Sequence, residues 1–225
     1  MTQIPPDIFL FLKELKENNH RDWMEEHRSQ YKANEKLLKR FYAEIEARLN
    51  ETDRIAKTKL FRINRDVRFS KNKAPYNAHR SVRFIRAGEA RRGSYYLRIE
   101  PGNSGLAGGF FKPEPADLLR IRKEFEMDAA PIRAILAQPD FSKIFDGFVA
   151  RDPVKTAPKG FQKDASNIDL IRHRSYFVSH SFTDEAVMAP KFQDRVVEYF
   201  RLLQPFFDYM SMVLTTNLNG ESLLD

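Results

Sequence analysis

An α+β domain, a mainly antiparallel sheet packed with helices and long N-terminal and C-terminal helices, follows from three features of the sequence. Stretches with a two-residue apolar period cluster between about residues 59 and 111 and recur near 176–182. Stretches with a three- and four-residue period lie before and after them, which segregates helix from strand along the chain. The link Pro101-Gly102-Asn103-Ser104-Gly105 has the length and turn chemistry of a hairpin, which joins antiparallel strands directly. With 225 residues, 42% of them hydrophobic and 19 of them Phe, one domain spanning 1–225 can bury a full core.

Taken in order, Pro5-Pro6-Asp7 opens a short helix with Ile8, Phe11, Leu12 and Leu15 on one face, and Asn18-Asn19 stops it. A much longer helix is expected after Asn19, with Asp22 in its first turn. Trp23, His27, Tyr31, Leu38, Phe41, Ile45 and Leu49 then form one stripe. That stripe reads as core, and His27 on it as a packing histidine rather than a ligand. Trp23 has two readings, a core anchor and a stacking surface beside a site.

The segment Phe61 to Tyr76 is the one around which the chain is organised. Phe61, Ile63, Val67 and Phe69 alternate with Arg62, Asn64, Asp66 and Arg68, the pattern of a half-buried strand. Arg65 falls on the apolar side, where a guanidinium needs a carboxylate or a bound anion. Glu100 is the nearest acidic candidate, and Asp66 is expected to face the other way. Arg62, Arg65, Arg68, Lys71 and Lys73 thus surround a single carboxylate. From Arg54 to Arg98 there are 14 Lys and Arg against two acids, a net +12 within a chain of net +7, so the remainder carries −5. Such a surface attracts anions.

Two further strands are expected at Ser81–Arg86 and Ser94–Glu100, and the hairpin returns into Leu106–Phe111. Gly108-Gly109 inside that arm marks a bulge or a close approach of backbone or ligand. Pro113 and Pro115 close the sheet region. Helices then carry Leu118, Leu119, Ile121, Arg122 and Phe125, and, from Pro131, Ile132, Ile135 and Leu136. Asp140 is read as the cap of a short helix with Ile144 and Phe145, and 151–166 as an irregular internal loop. Asn167 caps a turn through Ile168 and Ile171, and Tyr176, Val178, His180 and Phe182 alternate as a strand. A last helix starts near Pro190, runs through Phe192, Val196, Tyr199, Leu203, Phe206, Met210 and Val213, and is kinked or divided by Pro205.

Ile63-Asn64-Arg65-Asp66, Arg68-Phe69-Ser70, Lys73 and Pro75-Tyr76 resemble the signature of a bacterial family of conserved hypothetical proteins, domain of unknown function 2461. Phe11-Leu12, Leu15, Asn18-Asn19 and Trp23 match its N-terminal pattern. Tyr96-Leu97, Gly108-Gly109 and Pro158-Lys159-Gly160 match later parts, so the similarity covers most of the chain. The resemblance implies membership and brings no assigned activity.

Function classes narrow from the residues. The chain has no cysteine, which excludes disulfides and thiolate chemistry. Its five histidines show no metal-ligand spacing, so no metal site is assigned, and no cofactor can be named. The apolar run Ile8–Leu12 is too short to cross a bilayer, so no membrane partner and a cytoplasmic location are expected. The expected role is binding of an anion or phosphate-bearing ligand, nucleic acid included. The ligand-binding residues are Arg62, Arg65, Arg68, Ser70, Lys71, Lys73, Tyr76, Trp23, Gly108 and Gly109. Phe61, Phe69, Tyr76, Phe84, Tyr95 and Tyr96 interleave with the cations as nucleic-acid binders require, without a recognised module, so any such binding should be weakly sequence-specific. Two alternatives stand beside it. One is phosphoryl transfer or phosphoester hydrolysis with Asp66 in the site, and the other is a structural or protein-contact domain with an internal ion-pair cluster. Ser70 reads as a turn residue rather than a nucleophile.

Overall fold

The computed structural model describes residues 2–150 and 153–224; the first two residues of the expected loop 151–166 lie outside it. Helices α1 (Pro6–Glu17), α2 (Arg21–Glu26) and α3 (Arg28–Leu49) come first, then strand β1 (Ile55–Leu60). Strands β2 (Arg80–Arg86), β3 (Ser94–Ile99) and β4 (Ser104–Phe110) follow, then helices α4 (Pro115–Met127), α5 (Ala130–Leu136), α6 (Pro139–Ser142) and α7 (Ile168–Ile171). Strand β5 (Tyr176–Phe182) precedes helices α8 (Asp184–Met188), α9 (Phe192–Leu202) and α10 (Gln204–Thr215). The five strands form one antiparallel sheet in the order β1-β2-β3-β4-β5, each paired with its neighbour in sequence. The fold is α+β, as the segregation of periods predicts.

Two compact units are distinguished. The first comprises Met1–Phe84, Tyr96–Leu106 and Ser181–Glu198. Its core is the buried face of α1, with Ile8, Phe11, Leu12 and Leu15, joined to Leu38, Phe41, Ile45 and Leu49 of α3. Phe192 stacks on Phe41 with ring centres 6.0 Å apart and meets Phe182 edge-on at 5.0 Å. The second unit comprises Ile85–Tyr95, Ala107–His180 and Tyr199–Asp225. There Tyr95 is held between Phe200 and Phe207 at 5.0 and 4.8 Å, Phe125 meets Tyr176 at 5.4 Å, and α10 packs on α4 and α5. Gly109 has φ +143°, and a Cβ on it would stand 2.3 Å from the Tyr176 carbonyl oxygen, so the Gly108-Gly109 pair marks a close approach of backbone to β5.

Several boundaries differ from expectation. The long helix after Asn19 is two helices, because the chain breaks at His27 (φ −98°, ψ 14°), and His20 caps the first, its Nδ1 accepting from the Trp23 N–H at 3.3 Å. His27 closes the break: its ring stacks on Trp23 at 4.0 Å and its Nδ1 bonds the Trp23 carbonyl at 2.8 Å, the packing role expected of it. Gln138, not Asp140, holds the cap position of α6, with Asp140 in its first turn and Ile144 and Phe145 beyond its end. The last helix begins at Phe192, not Pro190, and Pro205 divides it, sitting at the start of α10 where its missing N–H costs nothing. Helix α8 was not foreseen; Thr183 caps it, Oγ1 accepting from the Ala186 N–H at 3.2 Å, with Asp184 and Glu185 in the first turn.

Candidate functional site

The expected strand over 61–69 is not one. β1 ends at Leu60, and the chain makes an irregular excursion that re-enters the sheet at Arg80. Asn64 and Tyr76 form an isolated antiparallel bridge, flanked by Arg65 N–H to Pro75 O at 2.8 Å and Asn77 N–H to Ile63 O at 2.7 Å. The period of two survives in burial, with Ile63 buried and Arg65 and Val67 half-buried while Arg62, Asn64, Asp66 and Arg68 are exposed. Such a period reports extended backbone with two unlike sides, whereas a strand also needs a partner along its length. Here the chain turns at Val67–Ser70 before a ladder can form, and Phe69, expected on the apolar side, is 97% exposed.

Arg65 is not paired with a carboxylate. Its guanidinium donates to Ala74 O at 2.9 Å and Ser70 Oγ at 3.4 Å, clipping the two arms of the excursion together. Glu100 bonds instead to Arg98 at 3.2 Å. Asp66 faces away as expected and takes the Arg68 fork at 3.0 and 2.7 Å, which holds its carboxyl below the usual range. Lys73 Nζ donates to the carbonyls of Val67 and Arg68. At the base, the Asn19 amide grips Tyr76 in both directions, Nδ2 to O and Oδ1 from N–H, each at 3.0 Å. Asn19, the residue after the Asn18 cap of α1, therefore anchors the excursion.

An open cleft of about 650 Å³ lies where the excursion leaves β1 and returns to β2. Lys59, Arg62 and Arg65 supply its cations and Asp66 its carboxylate; Asn64, Asn77, His79 and Ser81 supply polar groups. Phe61 and Tyr96 form an aromatic wall, their rings edge-to-face at 6.0 Å, with Lys59 Nζ 5.3 Å from the Phe61 ring centre. Burial holds the His79 imidazole below its ordinary pKa. Arg62, Arg65 and Lys59 have no carboxylate partner among the described residues, and the only acid lining the cleft is committed to Arg68. An anion entering would meet cations already in place.

Of the residues expected to bind a ligand, Arg62 and Arg65 line this cleft, as does Asp66. Arg68, Ser70, Lys71, Lys73 and Tyr76 belong to the same excursion but not to the lining. Trp23 is buried against Phe11 and His27, and Gly108 and Gly109 lie in the other unit, packed on Leu203 and β5. Lys59, Asn77, His79 and Ser81 were not expected in the site, and Phe61 and Tyr96 only among the aromatics interleaved with the cations. Tyr96 carried a signal, since it alternates with the buried Tyr95 and Leu97 and so had to emerge on the other face of the sheet, whereas Phe61, expected on the apolar side, is half-buried at the cleft wall.

Fold and cleft together define an α+β protein with an antiparallel meander and a cationic cleft at its first edge. The chain belongs to the conserved hypothetical protein family DUF2461, which it matches over residues 7–209. Neither the curated proteins nor the solved structures returned a match.

Proposed function

We propose that the protein binds a phosphate-bearing ligand in the cleft lined by Lys59, Arg62 and Arg65, in the cytoplasm. The observation that carries this is the absence of carboxylate partners for these three cations among the described residues, at the mouth of a cleft large enough for a nucleotide. Like charges held together repel, and a bound anion relieves that cost. Arg62 and Arg65 offer forked donors that suit phosphate oxygens, Lys59 a point charge, and the Phe61–Tyr96 wall a surface for an attached ring. Binding is favoured over phosphoester hydrolysis because Asp66, paired to Arg68 and held at low pKa, is a poor general base. The described helices include none long and apolar enough to cross a membrane.

Titration of a nucleotide panel and labelled oligonucleotides at two salt concentrations tests the proposal. Affinity should fall with salt, vary little with base sequence, and drop at least tenfold in a Lys59→Ala/Arg62→Ala double variant. No binding at low salt would sink it.

A further inference from the structure

Phe69 is the most exposed of the large apolar side chains among the described residues. A single exposed apolar residue is ordinary; what distinguishes this one is how firmly its turn is held. The Arg68 guanidinium lies 5.9 Å from the centre of the Phe69 ring and is gripped by both oxygens of Asp66. Lys73 Nζ bonds the carbonyls of Val67 and Arg68 at 3.1 and 3.4 Å, bracing the turn from the other side. The ring is thus presented to solvent on a built support. Asp66 also lines the cleft, so contacts run from the cleft through Asp66 and Arg68 to the ring, along at most about 11 Å of backbone.

A flat apolar face flanked by cations, beside a cationic cleft with an aromatic wall, matches a ligand that alternates π-faced rings with phosphates. A bilayer fits less well, because the turn offers one phenyl ring with no second apolar side chain from Arg68 to Lys73, and stable membrane attachment takes two signals. A duplex keeps its bases stacked on one another and offers the ring no free face. We propose that the ligand is a single-stranded nucleic acid, with one base stacked on Phe69 and neighbouring phosphates on Lys71, Lys73 and the cleft cations. This rests on the phosphate-binding reading of the cleft and extends it from a mononucleotide to a polymer.

The test uses the full chain at low salt with a labelled single strand of roughly twelve nucleotides, the matching duplex and a labelled mononucleotide. The single strand should bind tighter than either of the others. Phe69→Ala should weaken it roughly 5- to 150-fold, the effect of losing one base–aromatic stack, and leave the mononucleotide unchanged. Phe69→Trp should restore the affinity, and both variants should melt with the parent because the ring is exposed. Equal affinity of the parent and Phe69→Ala for the strand overturns the proposal; if Lys59→Ala/Arg62→Ala still abolishes binding, the cleft reading survives. Duplex binding as tight as the single strand overturns it too. A Phe69-dependent affinity for anionic phospholipid vesicles, with none for the strand, overturns it in favour of a membrane surface. Failure of strand, duplex and mononucleotide alike overturns both readings.

Discussion

Arg80 and Arg65 come from the same basic segment and meet opposite fates. The Arg80 side chain is 7% exposed and its Nε bonds Glu35 of α3, itself 16% exposed, so the buried arginine–carboxylate pair expected at Arg65 exists at Arg80 instead. Arg80→Ala leaves the half-buried Glu35 carboxylate without its buried partner and should cost about 3 kcal/mol in urea melts. Arg65→Ala removes two bonds at a half-exposed site and should cost about 1 kcal/mol while weakening anion binding. A larger loss for Arg65 than for Arg80 would reverse this assignment. His79 gives the site a pH response. Burial, opposed by Glu100 and aided by Arg98 and Arg80, lowers its pKa. The folded state therefore binds this proton less readily than the unfolded one. Its contribution to stability is full above the ordinary value of about 6.5 and is lost as pH falls through the folded value. A bound anion should oppose the loss, so phosphate affinity should rise on acidification below about pH 6.5, and His79→Gln should flatten both trends.

At the scale of elements, β4 lies against its neighbours only because two side chains are missing. A Cβ on Gly109 would stand 2.5 Å from Phe177 Cα as well as against the Tyr176 carbonyl, and backbone cannot step aside. A Cβ on Gly108 would meet Leu203 Cδ1, the end of a flexible side chain. Gly109→Ala should therefore cost about 3 kcal/mol and Gly108→Ala nearer 1 kcal/mol in denaturant titrations. Anion affinity should be unchanged in both. Helix α3 supplies an acid-sensitive tie: the Glu44 carboxylate accepts from the Thr2 N–H and Oγ1, each at 2.7 Å, and from Gln193 Nε2 at 3.0 Å. The Thr2 bonds lead in pulling its pKa from 4.5 to about 2. A depressed carboxylate stabilises above its unfolded value and stops doing so as pH falls through the folded one. Glu44→Gln should flatten the stability profile between those two pH values, as thermal melts across acid buffers would register.

For the whole molecule, the +12 of the basic segment is partly spent inside the fold. Arg80, Arg86, Arg92 and Arg98 pair with Glu35, Asp208, Asp117 and Glu100, and Arg68 with Asp66. Lys57, Lys59, Arg62, Arg65, Lys71, Lys73 and Arg83 have no carboxylate partner among the described residues, and all precede Phe84, within the first unit. If single strands contact three to five of them, the logarithm of affinity should fall with the logarithm of salt at a slope of about −2 to −3.5. Replacing Lys59 and Arg62 should make that slope shallower by about 1.4. An unchanged slope would place the phosphates elsewhere.

The sequence by itself determined the α+β class, strands β2 to β5 to within about two residues, the hairpin at Pro101–Gly105 and the break at Pro205, because alternation, turn chemistry and proline act over a few residues. It also marked Arg62, Arg65 and Asp66, since charge density is visible without coordinates. Only the tertiary structure decided that residues 61–69 form no strand, because a ladder depends on a partner far along the chain. It decided likewise that the buried arginine is Arg80, whose carboxylate lies on α3. Lys59, His79 and Tyr96 reached one cleft through the pairing of β1, β2 and β3, a register set by long-range hydrogen bonds that no local pattern encodes.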